Sequence, residues 1–344
     1  MSEFAAVPNA YPIIVGPTAG GKSDLAVRLA IALQSQGRRT AILAADAYQI
    51  YRGMDIGTAK PTIDERQGIE HLLIDIVDPR ESFSASDWLK RAKQTIDDCF
   101  AKGITPIVVG GTHLYVKLLV DGMFEGPAAD EALREQLRAM GLVALRAELE
   151  RVDPAAAARI HANDERRTIR AIEVFRLTGV PISEQQSQWT GSPPVPGGSD
   201  SQTSETEEKT QMPAAPEGRP TVLIGLDWPV ELINRRINAR VKLMMERGFL
   251  DEVRALHAAG ALGVQSREAL GYKQLIEHLE RRASLEDAVE QIKIQTRRFA
   301  KNQRTWLKRL RMKPGSVWID TTTDPVTWLD VALARMREQD ARQP

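Results

Sequence analysis

The chain of 344 residues holds one cysteine, Cys99. An internal disulfide and a thiolate metal cluster are thereby excluded, and a reducing, cytoplasmic setting is expected. No stretch approaches the roughly 18 to 20 consecutive apolar residues that a bilayer-spanning helix needs. Met1 to Asn9 has neither the basic flank nor the apolar core of a secretory leader, so neither export nor a membrane partner is expected. Net charge is also missing, since 46 Lys+Arg balance 46 Asp+Glu. That neutrality hides a local excess. Between Arg281 and Lys313 stand eleven bases (Arg281, Arg282, Lys293, Arg297, Arg298, Lys301, Arg304, Lys308, Arg309, Arg311, Lys313) against Glu286, Asp287 and Glu290. Such a stretch can neutralise several phosphates or simply form a solvated helix face.

At roughly 150 residues per domain the length suggests two folding units. Tyr11 to Val15 is a short apolar run ending in Gly16, and Leu25, Leu29 and Leu33 recur at helical spacing beyond Lys22. This predicts strand, glycine loop, helix. Thr40 to Ala45, Leu72 to Val77, Pro106 to Val109 and Val222 to Leu226 lack polar alternation, as strands buried on both faces do. With helical patterns at Ala85 to Lys102 and Thr112 to Asp121 between them, the order predicts an α/β fold: a parallel sheet covered by helices. From Met123 no strand pattern intervenes, and Asp130 to Leu149 and Pro154 to Leu177 predict an all-helical insertion. Gly191 to Pro220, rich in Pro, Ser, Thr and Glu, reads as a disordered linker. Helical patterns return at Val230 to Arg247, Leu250 to Ala259, Lys273 to Glu280 and Leu285 to Leu310. The expected domains are therefore 1–122 (core, first part), 123–190 (insertion), 191–220 (linker) and 221–344 (core, second part).

Gly16-Pro17-Thr18-Ala19-Gly20-Gly21-Lys22-Ser23 fits G-x-x-x-x-G-K-[ST] between a strand and a helix, the context that this phosphate-binding pattern requires. Glycines let backbone N–H groups converge on phosphate oxygens, Lys22 adds a point charge, and the Ser23 hydroxyl can hold Mg²⁺. Nucleotide binding, ATP included, is allowed and not required. The strand Pro106 to Val109 ends in Gly110-Gly111-Thr112 without the acid that usually completes a nucleotide-bound magnesium shell, and Asp75 and Asp78 are the remaining candidates. Asp46 follows Thr40 to Ala45 and is expected at the sheet's carboxyl edge beside the phosphate loop, either as a general base or as a turn cap. Tyr51 to Pro61, rich in glycine and polar groups, reads as a working loop and not as core.

These residues resemble the tRNA dimethylallyltransferase, or isopentenyltransferase, family. The resemblance rests on Gly16 to Ser23, Asp46-Ala47-Tyr48-Gln49-Ile50-Tyr51, Met54 to Pro61, and Gly110-Gly111-Thr112-His113-Leu114-Tyr115. It continues through Asp153-Pro154, Arg159 to Asp164, Ala269 to Lys273, and Thr296 to Gln303 with Thr305-Trp306. It implies a P-loop NTPase-like core and transfer of the dimethylallyl group from dimethylallyl diphosphate to N6 of the adenosine on the 3′ side of the anticodon in tRNA. Implied catalytic residues are Asp46 as general base, with Thr112 and Arg240. Gly16, Pro17, Thr18, Ala19, Gly20, Gly21, Lys22 and Ser23 would cradle the diphosphate, with Mg²⁺ on Ser23. Implied tRNA contacts are Asp46, Ala47, Tyr48, Gln49, Thr112, Arg134, Arg166, Arg167, Arg170, Arg297, Arg298, Lys301, Gln303 and Arg304. A monomer is expected. Gly20, Ala47, Glu268 and Asn302 depart from residues common in the family, and one cysteine cannot build the zinc finger of some eukaryotic relatives. A small-molecule kinase, an enzyme prenylating free adenine nucleotides and a non-enzymatic RNA-binding module share parts of this pattern.

Overall fold

A computed structural model describes residues 10–122, 126–185 and 219–342. Along the chain run β1 (Tyr11–Val15), α1 (Lys22–Ser35), β2 (Arg39–Ala45), α2 (Ile63–Arg66), β3 (His71–Leu72), α3 (Ala85–Ala101), β4 (Ile104–Gly110) and α4 (His113–Asp121). Next come five helices: α5 (Glu131–Ala139), α6 (Leu142–Val152), α7 (Pro154–Arg159), α8 (Glu165–Thr178) and α9 (Ile182–Gln185). The remainder is β5 (Thr221–Asp227), α10 (Val230–Glu246), α11 (Phe249–Ala258), α12 (Tyr272–Leu279), α13 (Leu285–Arg311), β6 (Val317–Asp320) and α14 (Pro325–Asp340). Among the described residues no helix is long and apolar enough to cross a membrane. Chain contacts divide the molecule into two compact units, Met1–Val120 with Gln211–Pro344, and Asp121–Thr210.

The first unit is built on a six-stranded sheet in the order β3-β2-β4-β1-β5-β6, with every pairing parallel. The unbroken apolar runs of β1, β2 and β4 are buried because helices cover both faces. Leu25, Leu29 and Leu33 of α1 pack with Ile14, Ile107 and Ile224 of the sheet and Trp328, Ala332 and Met336 of α14 in one core. Trp88 of α3 is fully buried, stacks on Tyr115 at 4.4 Å, and donates its indole N–H to Ala44 O at 3.2 Å. Burial and a satisfied donor together anchor α3 and α4 at β2. Register sets the carboxyl edge of the sheet. Val15 and Ala45 both pair with Gly110, so β1, β2 and β4 end level and release their next residues on that one edge.

Several boundaries differ from the sequence reading. Of the expected strand Leu72 to Val77 only His71–Leu72 pairs with β2, because Leu73 and Asp75 turn into positive φ (62° and 56°) and break the ladder. Ile76 and Val77 instead donate to Ile50 O at 2.8 and 3.0 Å, folding the segment against residues 49–51. The helix expected over Asp130 to Leu149 is interrupted at Gly141 (φ 76°), and that over Pro154 to Leu177 is split after Arg159. β6 and α14 have no counterpart among the expected elements, although Asp324 before Pro325 is a legible N-cap with a first-turn proline. All of the expected linker except 219 and 220 lies outside the described residues.

The second unit, as described, contains helices only. Leu137, Leu145, Leu149, Ile169 and Ile172 form its core. Asp153 caps α7 by accepting from Ala156 N–H at 2.8 Å and ties in α9 by accepting from Ser183 N–H at 2.9 Å. Glu173 is buried. Arg134 Nε donates to it at 2.8 Å, Arg170 Nη1 at 2.6 Å and the Asp130 N–H at 2.8 Å. Burial alone would raise the Glu173 pKa, but these hydrogen bonds outweigh it and hold the carboxyl below its ordinary value. Its stabilising effect is therefore complete above that ordinary value near 4.5 and is lost as pH falls below it through the lowered folded value. We expect Glu173→Ala, which strands two arginines, to cost about 3–5 kcal/mol in chemical denaturation. An unchanged midpoint would show that the cluster contributes nothing.

Candidate functional site

The level strand ends place the Gly16 to Ser23 loop after β1, Asp46 after β2 and Gly111-Thr112 after β4. This is the carboxyl edge, where α/β sheets bind ligands. The loop turns on a Gly20 N–H to Pro17 O bond of 3.1 Å and opens into α1 at Gly21. Its outer wall is held from behind. Trp228 donates its indole N–H to Gly20 O at 3.0 Å, and Arg236 donates Nε–H to Ala19 O at 2.9 Å while lying over the Trp228 ring at 4.8 Å. Ala19 needs that support, since its φ of 59° is costly for a residue with a Cβ. Lys22 Nζ donates to Pro17 O at 2.8 Å, and Ser23 is exposed at the first turn of α1.

Asp46 accepts the N–H groups of Tyr48 (2.9 Å) and Gln49 (3.2 Å) on Oδ1. The turn-cap reading therefore holds for one oxygen, while the side chain also lines the cleft. Thr112 Oγ1 accepts the Ala47 N–H at 3.1 Å, tying the two strand ends together. Gln49 Nε2 donates to Thr58 O and Ala59 O, each at 3.2 Å, which leaves Oε1 as its acceptor. The Tyr51 to Pro61 loop is more structural than its composition suggests. Lys60 is buried and donates to Tyr51 O (2.5 Å), Asp55 (2.7 Å) and Asp75 (2.5 Å). Glu252 of α11 accepts the N–H groups of Asp55 (2.9 Å), Ile56 (2.7 Å) and Gly57 (3.1 Å) and the Tyr272 hydroxyl (2.5 Å). Gly57 sits where a Cβ would overlap the Phe249 and Tyr272 rings. Asp75 and Asp78, the candidate magnesium acids, bind Lys60 and Arg80, and neither lines the cleft.

The cleft encloses about 700 Å³ including its open mouth. Thr18, Ala19 and Arg240 line it together with Asp46, Tyr48 and Thr58. Ile237, Val241, Met244, Phe249, Leu270, Ile292 and Phe299 supply an apolar lining. Burial lowers the Lys22 ammonium to about 8, with the Arg240 guanidinium adding to the shift and Asp46 opposing it. Burial likewise lowers Arg240, and Asp46 opposes that shift too. Asp46 is thus the one carboxylate acting on two part-buried cations, and the excess positive charge favours an anionic ligand.

The basic residues divide into distinct groups. On α13, Arg298 and Lys301 are exposed and Arg304 is half-buried. Arg297 donates to Asn238 Oδ1 at 2.6 Å and reaches Glu290 at 3.5 Å. On α8, Arg166 and Arg167 are exposed, and Arg167 pairs with Asp164 at 3.1 Å. Arg134 and Arg170, partly exposed, each pair with Glu173, at 2.8 and 2.6 Å. Gln303 is only 3 % exposed, and both ends of its amide are hydrogen-bonded within the protein. Sequence reasoning missed Trp228, Arg236, Glu252 and Tyr272. No local pattern marks them, although Tyr272 lies within the Ala269 to Lys273 motif.

The chain matches the family model described as IPP transferase over residues 49–310. It is 41 % identical over 315 residues to the tRNA dimethylallyltransferase of Bacillus cereus (strain B4264), covering 90 % of this chain and 89 % of that one. A second such enzyme, of Bacillus anthracis, is 39 % identical with 90 % of each covered. Among solved structures, the full-length tRNA isopentenylpyrophosphate transferase of Bacillus halodurans superposes with a TM-score of 0.65 at 35 % identity, covering 97 % of this chain and 98 % of that one. A eukaryotic dimethylallyltransferase acting on tRNA superposes with a TM-score of 0.77 at 26 % identity, covering 97 % of this chain and 80 % of that one.

Titration with inorganic diphosphate should show affinity weakening as pH rises through about 8, the value of free Lys22, because only the ammonium attracts the anion. Lys22→Met removes this component, so the advantage of the unaltered protein over it should shrink above that pH. A constant advantage would place Lys22 outside the anion site. Gly57→Ala should disturb the Asp55 to Gly57 turn and destabilise the protein by about 1–3 kcal/mol in urea denaturation. Unaltered stability would mean that the two rings yield freely.

Proposed function

The chain belongs to the IPP transferase family and is a prenyltransferase, and from that premise we propose that it moves a dimethylallyl group from dimethylallyl diphosphate to tRNA. The acceptor is N6 of the adenosine on the 3′ side of the anticodon. The allylic carbon–oxygen bond breaks with its electron pair passing to diphosphate, the N6 lone pair forms the new carbon–nitrogen bond, and the N6 proton passes to Asp46. The observation that carries this reading is the cleft itself, lined together by the phosphate-loop residues Thr18 and Ala19, the Arg240 guanidinium, the Asp46 carboxylate and a set of apolar side chains. A five-carbon allylic chain can bury its apolar surface against those side chains.

Lys22, Arg240 and the loop N–H groups meet charge that grows on the leaving diphosphate, so they stabilise the transition state more than the bound donor. The adenine amine is a weak nucleophile because its lone pair is delocalised into the ring, and Asp46 offsets this by taking its proton as the bond forms. With Oδ1 held by two backbone donors, Oδ2 is the oxygen left for that proton. Gln49 Oε1 is an acceptor suited to the base edge. Thr112 steadies the turn that carries Asp46. The target base must leave its stack to reach the cleft. Phosphate grip is assigned to Arg298, Lys301 and Arg304 with Arg297 on α13, and to Arg166 and Arg167 on α8.

The residues fit a magnesium ion held mainly by its ligand. Ser23 is exposed beside Lys22, and among the described residues no group of three acidic or histidine side chains could hold a metal alone. Mg²⁺ commonly takes few protein ligands together with phosphate oxygens and water. Held by Ser23, it would neutralise diphosphate charge.

Incubation with dimethylallyl diphosphate, Mg²⁺ and unmodified tRNA, in parallel with AMP and ATP, followed by nucleoside mass analysis, tests the reading. A prenyl-sized gain on tRNA adenosine supports it, gain on AMP would move the activity to free nucleotides, and ATP consumption without gain would favour a kinase. Asp46→Ala should keep tRNA affinity within a few-fold while turnover falls about 10²–10⁴-fold. Turnover within a few-fold of the unaltered enzyme would require another base.

A further inference from the structure

Gln303 is a buried polar side chain of α13. Its Oε1 accepts the Thr18 N–H at 2.7 Å, and its Nε2 donates to Gly111 O at 2.9 Å. One planar amide thus spans the phosphate loop after β1 and the strand end after β4. Both partners are backbone groups, one a donor and one an acceptor, so no other side chain of this length satisfies both. Glutamate could accept from Thr18 but would set a carboxylate oxygen against the Gly111 carbonyl, and methionine would leave both groups unpaired.

Gly111 is shaped to this contact. A Cβ there would lie 2.5 Å from Gln303 Nε2 and 3.4 Å from Lys22 Nζ. The next residue, Thr112, accepts the Ala47 N–H beside Asp46. An unbroken path of hydrogen bonds and one peptide link therefore joins the diphosphate loop, through Gln303, to the turn that carries the base.

We infer that Gln303 is a positioning residue that sets the spacing between the diphosphate cradle and Asp46, so that donor carbon and acceptor nitrogen meet in register. It does so from the same helix that presents Lys301 and Arg298 to solvent, about half a turn and about one and a half turns away. RNA held by those bases is thereby held to the helix that braces the cradle. The inference rests on the proposed transferase reading, and it concerns alignment, to which rates are sensitive at the scale of an ångström.

The test compares Gln303→Met, Gln303→Glu and Gly111→Ala with the unaltered enzyme. We expect kcat to fall about 10–100-fold and the KM for dimethylallyl diphosphate to rise. The tRNA Kd and its salt dependence should stay within about twofold, because no phosphate contact is lost. Gln303→Met combined with Gly111→Ala should cost little more than either alone, since both break one bridge. A residue gripping RNA would instead weaken tRNA binding and spare kcat at saturation, and a purely structural one would lower Tm while leaving kcat and donor KM unchanged per folded molecule. Either result overturns the inference. If the unaltered enzyme transfers no prenyl group, the transferase reading fails, and titration with inorganic diphosphate still decides the bridge. Gln303→Met should bind it more weakly, and equal affinity would refute the bracing.

Discussion

Lys22 and Arg240 are two part-buried cations near one carboxylate, Asp46, which opposes the lowering of both by burial. The cost of that crowding is visible in the depressed ammonium of Lys22, held near 8 by burial and by Arg240. Opposite charge from a diphosphate relieves it, so the cleft by itself carries part of the driving force for binding an anion. Much of the surrounding architecture holds these three groups together against their own desolvation.

That architecture works at two depths. Strand register brings β1, β2 and β4 to one level, which delivers the phosphate loop, Asp46 and Thr112 to the same edge. Behind the edge, side chains from distant parts of the chain fix the loops by their backbones. Trp228 and Arg236 hold Gly20 and Ala19, Gln303 holds Thr18 and Gly111, and Glu252 gathers three N–H groups of the Asp55 to Gly57 turn. Glycine at 57 and 111 is the counterpart of these contacts, since a Cβ at either would press on the side chains packed there. The charged groups of the cleft are thus set on a rigid frame, the condition under which preorganised donors accelerate a reaction.

The basic residues show how one residue type serves two purposes. On α8, Arg166 and Arg167 point outward, whereas Arg170 one turn later turns in to Glu173 together with Arg134. Nothing in the local sequence separates them. The distinction depends on Glu173 lying on the buried face of the helix, where an acid needs partners and takes the nearest arginines.

Patterns confined to a few adjacent residues were legible from the sequence alone. The phosphate loop, the apolar runs of β1, β2, β4 and β5, the Asp153-Pro154 cap and the helical character of the insertion all belong to this class. So did the dual reading of Asp46, because residue type and position after a strand suffice to propose it. Tertiary structure alone decided which oxygen of Asp46 is occupied, that Leu73 and Asp75 break the β3 strand, that Lys60 is buried, and that Gln303 bridges Thr18 and Gly111. The physical reason is range. Periodicity, capping and turn chemistry act between neighbours in sequence, whereas burial, ion pairing and the bridging of strand ends depend on residues up to 302 positions apart.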